Sequence, residues 1–395
     1  MSNVVEVKNG LTKQNYSLMT IILFWCGLVV VSSLYVTIPL VSIFASEFKV
    51  TIAKATLTSS AFSFFYAVGF LFFGPLSDRY GRKLIILLGL IVLAFVSPLL
   101  AFFNNLSSLI ILRSIQGVAA ATFAPSALAY VVEVFPLQKR VTTIGFVSTG
   151  FLMAGIVGQV FSSFMATEFG WQSVFYCLAG MYLITAILVI IFLPSNGVNP
   201  GNGNLLNVFK QIIVVLRNKQ LLMCYVITLT LLLTFVGMYT TLGSYLGINF
   251  HLTNQQILSI RSVGIIGMLL SPFAGKLVGE FGVNHILRSG IVMAILGLAV
   301  LGVCTNLSLL IVMSIIFVGG ISLTVPTLIV MVGQFGGEYR GIAVSLYTFI
   351  LFIGATLGPI IAITLLGIGS YVITFETLAF FLVISLVISF SIKRF

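Results

Sequence analysis

The chain is a succession of long apolar runs separated by short polar breaks. Twelve runs reach the roughly 20 mostly apolar residues that a helix needs to cross a bilayer. They lie near 17–44, 55–76, 83–103, 107–132, 141–166, 172–193, 221–246, 256–277, 286–304, 308–333, 341–367 and 371–391. Segments alternating apolar and polar, which a membrane barrel requires, are absent. The pattern therefore predicts an all-α membrane protein with twelve spanning helices.

The breaks carry turn residues, as in Asn104-Asn105 and Asn199-Pro200-Gly201-Asn202-Gly203. The longest polar stretch, 194–220, divides the runs six and six. It reads as a cytoplasmic linker holding a short amphipathic helix, Leu205–Leu216, between halves 1–193 and 221–395.

Composition narrows the class. Charged residues are 7% of the 395, against about 25% in a soluble domain. That excludes a soluble globule and a disordered chain. The net charge of +11 has a topological origin rather than a nucleic-acid one. With the N-terminus inside, 15 basic residues face the cytoplasm: Lys8, Lys13, Arg79, Arg82, Lys83, Lys139, Arg140, Lys210, Arg217, Lys219, Lys276, Arg288, Arg340, Lys393 and Arg394. Only Lys49 and Lys54 fall outside, and Arg113 and Arg261 fall within runs. An inner-membrane protein with both termini cytoplasmic is expected. The first run is too long for a signal peptide. The four cysteines sit in apolar runs without metal spacing, and no cofactor is expected.

The halves repeat. Phe48 and Thr51 recur as Phe250 and Thr253, Gly74 and Gly81 as Gly275 and Gly282, Pro125 as Pro326, Arg140 as Arg340, and Gly158 as Gly358. The offset stays between 200 and 202. Two parallel six-helix pseudo-repeats are one established transporter architecture.

Between spans 2 and 3 stands Gly74-Pro75-Leu76-Ser77-Asp78-Arg79-Tyr80-Gly81-Arg82-Lys83. Gly74 permits close packing of spans 2 and 11. Gly81 permits a turn with positive φ. Asp78 suits the positive N-terminus of a neighbouring helix. Glu133 and Arg140 lie at the inner ends of spans 4 and 5, with Glu133 expected opposite Arg82. Both segments resemble signatures of the major facilitator superfamily, G-x-L-S-D-R-x-G-R-K and Glu-x6-Arg. The resemblance implies that Asp78, Arg82, Glu133 and Arg140 form a charge network holding the outward-open state. The second-half loop departs from the signature: Gly279 replaces the acid, Glu280 the arginine, and Gly333 stands where Glu133 would repeat. An asymmetric lock is expected.

Arg113, Gln116 and Gly117 match R-x-x-Q-G, whose arginine the family associates with proton coupling. Snorkelling to the headgroups is the alternative. Gly145, Ala154, Gly158, Gln159, Ser162 and Ser163 resemble a degenerate antiporter motif in span 5, with Gln159 in place of its proline. Gly170-Trp171 and Leu193-Pro194 also resemble the twelve-helix drug:proton antiporter group. None of the eight acids sits mid-span. Many proton antiporters carry an embedded carboxylate, so the residues argue mildly against proton coupling.

Polar and aromatic residues near mid-depth are cavity candidates: Tyr35, Tyr66, Gln116, Gln159, Tyr239, Arg261, Thr324 and Tyr347. For each, ordinary helix packing competes with substrate contact. Arg261 has no acid placed to pair with it in its own span, which favours neutral, zwitterionic or anionic substrates. Pro125 and Pro326 are expected to interrupt spans 4 and 10, and Gly358-Pro359 offers a further hinge. The combined expectation is a monomeric secondary transporter exporting small organic molecules, with a proton gradient as the driving force. The alternative is an uncoupled uptake carrier or facilitator. An enzyme is disfavoured because no catalytic constellation appears.

Overall fold

A computed structural model describes residues 15–103, 105–195 and 205–393. Lys8, Lys13, Asn104, linker residues 196–204 and Arg394 lie outside the described residues. Every regular element described is helical.

Twelve helices are long and apolar enough to cross a membrane. They are span 1 Tyr16–Tyr35, span 2 Lys54–Tyr80, span 3 Arg82–Phe102, span 4 Leu106–Val134, span 5 Leu137–Phe169 and span 6 Trp171–Phe192. The second set is span 7 Lys219–Asn249, span 8 Asn254–Phe281, span 9 Val283–Val303, span 10 Leu307–Phe335, span 11 Gly337–Ile368 and span 12 Tyr371–Phe390. A further helix, Leu205–Arg217, occupies the expected place in the linker.

The first apolar run is not one helix. Span 1 stops at Tyr35, five residues turn, and a short helix follows over Val41–Glu47. Pro39 explains the stop: it lacks an N–H and disfavours helix at Ile38. The chain tightens there, with Ile38 N–H donating to the Tyr35 carbonyl at 3.1 Å.

The two equivalent prolines act differently. Span 4 breaks into Leu106–Ala120 and Phe123–Val134, with a turn at Ala121 and Thr122. Pro125 cannot donate to the Ala121 carbonyl, so the ladder fails at that point. Span 10 runs unbroken through Pro326, contrary to expectation. The hydroxyls of Thr324 and Thr327 bond back to the Gly320 and Leu323 carbonyls, and that stretch is buried throughout. Span 11 likewise continues through Pro359. Span 8 is the second broken helix, interrupted at Gly264 and by a 3₁₀ turn, Ser271–Phe273, containing Pro272.

Packing repeats between halves. Span 1 lies on 5 as span 7 lies on 11, and span 3 on 6 as span 9 on 12. Gly158 admits the Ser32 backbone, while its counterpart Gly358 admits the Leu233 carbonyl. A side chain at either glycine would push the paired helices apart. Gly81 and Gly282, at φ +96° and +82°, make the same corner before spans 3 and 9. The halves meet where span 2 faces 11 and span 5 faces 8.

Candidate functional site

The loop between spans 2 and 3 builds one charged cluster around Arg82. Gly81 turns the chain so that Arg82 opens span 3 pointing back under span 2, with 2% of its surface exposed. Its Nη1 donates to the Gly74 carbonyl at 3.1 Å and to Ser77 Oγ at 2.5 Å. Its Nη2 pairs with Asp78 and, at 2.8 Å, with Glu133 Oε1. Nε reaches Glu133 Oε2 at 3.4 Å, so the Glu133 contact is a two-pronged fork. A buried guanidinium is tolerable here because two carboxylates and two neutral oxygens replace its water.

The cluster also touches the other half. Asp78 oxygens press against Gly341, in the first turn of the helix beginning at Arg340. That is where unpaired N–H groups and the helix dipole favour an anion. Gly74 presses against Ser345 one turn later. The remaining residues expected in this network make bonds of their own. Arg140 donates to the Phe135 carbonyl at 2.8 Å, Lys83 to the Ile190 carbonyl at 2.8 Å, and Arg79 is exposed beside its neighbour Tyr80.

The 5–8 contact, symmetry-related to 2–11, contains no ion pair among the described residues. Gly145 lies on Ser271 and Pro272, Gly275 lies on Thr142, and Thr149 Oγ1 donates to the Met268 carbonyl at 3.2 Å. Gly279, in the place of the missing acid, has open space around it.

Arg113 does not snorkel; it is fully buried. Its Nε donates to the Thr58 carbonyl at 3.3 Å and Nη1 to Gln116 Oε1 at 2.5 Å. Nη2 donates to the Ser33 carbonyl at 2.9 Å and Thr37 Oγ1 at 3.2 Å. Its guanidinium also lies 4.2 Å from the Phe62 ring centre. Gln116 is held in turn, donating to Ser97 Oγ at 3.0 Å. Gly117 lets span 4 approach the Phe62 backbone. Neutral oxygens of spans 1, 2 and 4 and of the turn after span 1 thus converge on one cation, and span 3 joins through Gln116. Phe62, Ser33, Thr37 and Ser97 escaped the sequence reading because each is ordinary locally and meets Arg113 or Gln116 only across helices.

Span 5 stays helical through Gln159, which donates to its own helix at Gly155. Ala154 and Gly158 are buried, and Ser162 donates to the Val36 carbonyl at 2.6 Å. Ser163 is half-buried.

The cavity candidates separate. Tyr66 is buried among Phe62, Phe70 and Phe352, its hydroxyl without a partner among the described residues. Tyr347 is buried with its hydroxyl equally unpartnered. Tyr35 is half-buried over Gly155. Thr324 faces Gly290 of span 9 and bonds its own helix, a packing position. Arg261 and Tyr239 meet each other: Arg261 Nη2 donates to the Tyr239 carbonyl at 2.7 Å. No group of three or more His, Cys, Asp or Glu able to hold a metal occurs among the described residues.

Comparison with known proteins places the fold in a family. A family model described as Major Facilitator Superfamily matches residues 23–359. An uncharacterized transporter of Buchnera aphidicola subsp. Schizaphis graminum is 26% identical over 357 residues, covering 89% of this chain and 86% of the relative. Multidrug resistance protein MdtG of Proteus mirabilis is 31% identical over 238 residues, 58% of this chain and 59% of MdtG. The human organic anion transporter MFSD10 (TETRAN) superposes with a TM-score of 0.79 at 14% identity, covering 95% of this chain and 100% of MFSD10. The Escherichia coli fucose:proton symporter FucP gives 0.74 at 14% identity, covering 96% and 100%. At such identities the superpositions establish the fold alone. With its twelve helices, its internal repeat and a family match over most of its length, the chain belongs to the major facilitator superfamily of membrane transporters.

Proposed function

We propose that this transporter exports small organic molecules from the cytoplasm by alternating access, in exchange for protons. The observation carrying the alternating-access part is the Asp78–Arg82–Glu133 cluster seated on the start of span 11. A cluster that bridges the halves at one end stabilises closure of that end, and its rupture frees it to open. The positive-inside distribution assigns that end, which carries Arg79, Arg82, Lys83 and Arg340, to the cytoplasm. Both termini are then cytoplasmic, and the protein works as a monomer in the inner membrane. Gln116 links Arg113 to Ser97 of span 3, and the Arg113–Gln116 pair is the proposed relay between proton and substrate. Export is supported by the match to relatives named as multidrug resistance proteins.

An uncoupled carrier working inward is the second reading. It is favoured by the seven described acids, all of which lie toward span ends or in loops. Everted membrane vesicles separate the two. Uptake of a labelled drug panel driven by an inward-acid gradient supports coupled export; gradient-independent equilibration supports the carrier.

A further inference from the structure

The two intramembrane arginines are opposite cases. Arg113 has its nitrogens spent on four oxygens from four residues. Arg261 is engaged by Tyr239 alone among the described residues: one bond from Nη2 to the Tyr239 carbonyl and a ring whose centre is 5.9 Å from the guanidinium. Its Nε is buried without a partner, and no carboxylate pairs with it there. Arg261 lies seven residues into span 8, about 10 Å along the helix. A cation at that depth without a counter-charge is costly unless something supplies one.

The site is shaped to hold this side chain. Gly243 of span 7 lies directly against Arg261 Nη2, so any side chain at 243 would displace the guanidinium. The helix carrying Arg261, Asn254–Val263, ends at the Gly264 break and packs on span 7, span 10 and, across the seam between halves, span 5. Phe235 meets Tyr239 edge-on at 5.2 Å, so an aromatic wall adjoins the cation.

We propose that Arg261 is the anion-recognition residue of the transport site, which takes amphiphilic aromatic monoanions carrying a carboxylate or sulfonate. The unspent Nε edge of the guanidinium forms paired N–H···O bonds with the acid group. Tyr239 and Phe235 receive the aromatic body. This assignment rests on the transporter reading, but not on its direction or its proton coupling.

The test uses the purified full chain in lipid nanodiscs and three matched probes: salicylate, 1-naphthoate and dansylglycine, each beside its uncharged amide. Wild type is expected to bind at least one acid roughly tenfold tighter than its amide. Arg261→Gln is expected to erase that preference, so that acid and amide bind alike. Gly243→Ala keeps the charge but displaces it, and is expected to weaken the acid alone. It serves as the readout if Arg261→Gln does not fold. Equal acid binding in wild type and both variants overturns the assignment, as does a wild type that prefers none of the acids. Competition by chloride or sulfate as strong as by the unlabelled acid overturns it in favour of an inorganic-anion site. Acid binding lost in Arg261→Gln, with no substrate-driven proton flux by the wild type in proteoliposomes, leaves the assignment standing and removes coupled export.

Discussion

Asp78 of one half lies against Gly341 of the other, its carboxylate filling the space a side chain at 341 would need. This contact makes an ion-pair cluster within one half into a clasp between halves. Arg82 binds Asp78 and Glu133 internally, and Asp78 passes the attachment to the N-terminus of the helix Arg340–Ile368.

Gly341→Leu tests the clasp without altering a charge. Its side chain collides with Asp78 and separates spans 2 and 11. The expected outcome is increased labelling of a cysteine placed at Ser345 by an aqueous thiol reagent, on a background whose native cysteines are replaced. Unchanged labelling would show that the 2–11 contact closes without Asp78.

Glu133→Gln removes one prong from a buried cation. Breaking a fully buried pair costs about 3–5 kcal/mol. The Glu133 side chain is 33% exposed and Asp78 remains, so about 1–2 kcal/mol is expected. Arg82→Gln removes the shared partner and is expected to lower the melting temperature further than Glu133→Gln. The reverse order would contradict the central place given to Arg82.

Arg113→Lys conserves charge but not the fork. An ammonium cannot reach the Thr58, Ser33, Thr37 and Gln116 oxygens together, so buried acceptors lose their donors. The expected result is transport reduced at least roughly tenfold, with a lowered melting temperature. Full activity in the lysine variant would mean that charge alone suffices at this position.

Gly158→Leu and Gly358→Leu occupy equivalent sites and are expected to reduce folded protein to similar degrees. Gly367 has open space around it, so Gly367→Ala is the control expected to leave yield unchanged.

The spans, the repeat and the Arg82–Glu133 pairing were legible in the sequence, because apolar length and the spacing of glycines and charges record them directly. The fate of a proline was not. Pro125 and Pro326 repeat in sequence, yet one helix breaks and the other continues, since a proline removes one ladder bond and the surrounding packing decides whether the helix gives way there. The surroundings of Arg113 were also hidden apart from Gln116: its other acceptors are backbone carbonyls from spans 1 and 2 and a hydroxyl from the turn after span 1, which no local pattern marks. Arg140 was expected in the charge network; its Nε donates to the Phe135 carbonyl, a backbone acceptor that side-chain spacing does not mark.

Substrate-driven proton movement in proteoliposomes tests coupled export most directly. The vesicles hold a pH-sensitive dye, and antibiotics, dyes and organic acids are added in turn under an imposed pH gradient. Expected is a substrate-dependent pH change that Arg113→Ala abolishes. Movement of a labelled substrate at the same rate with and without the gradient, and with no pH change, would contradict it and identify an uncoupled carrier.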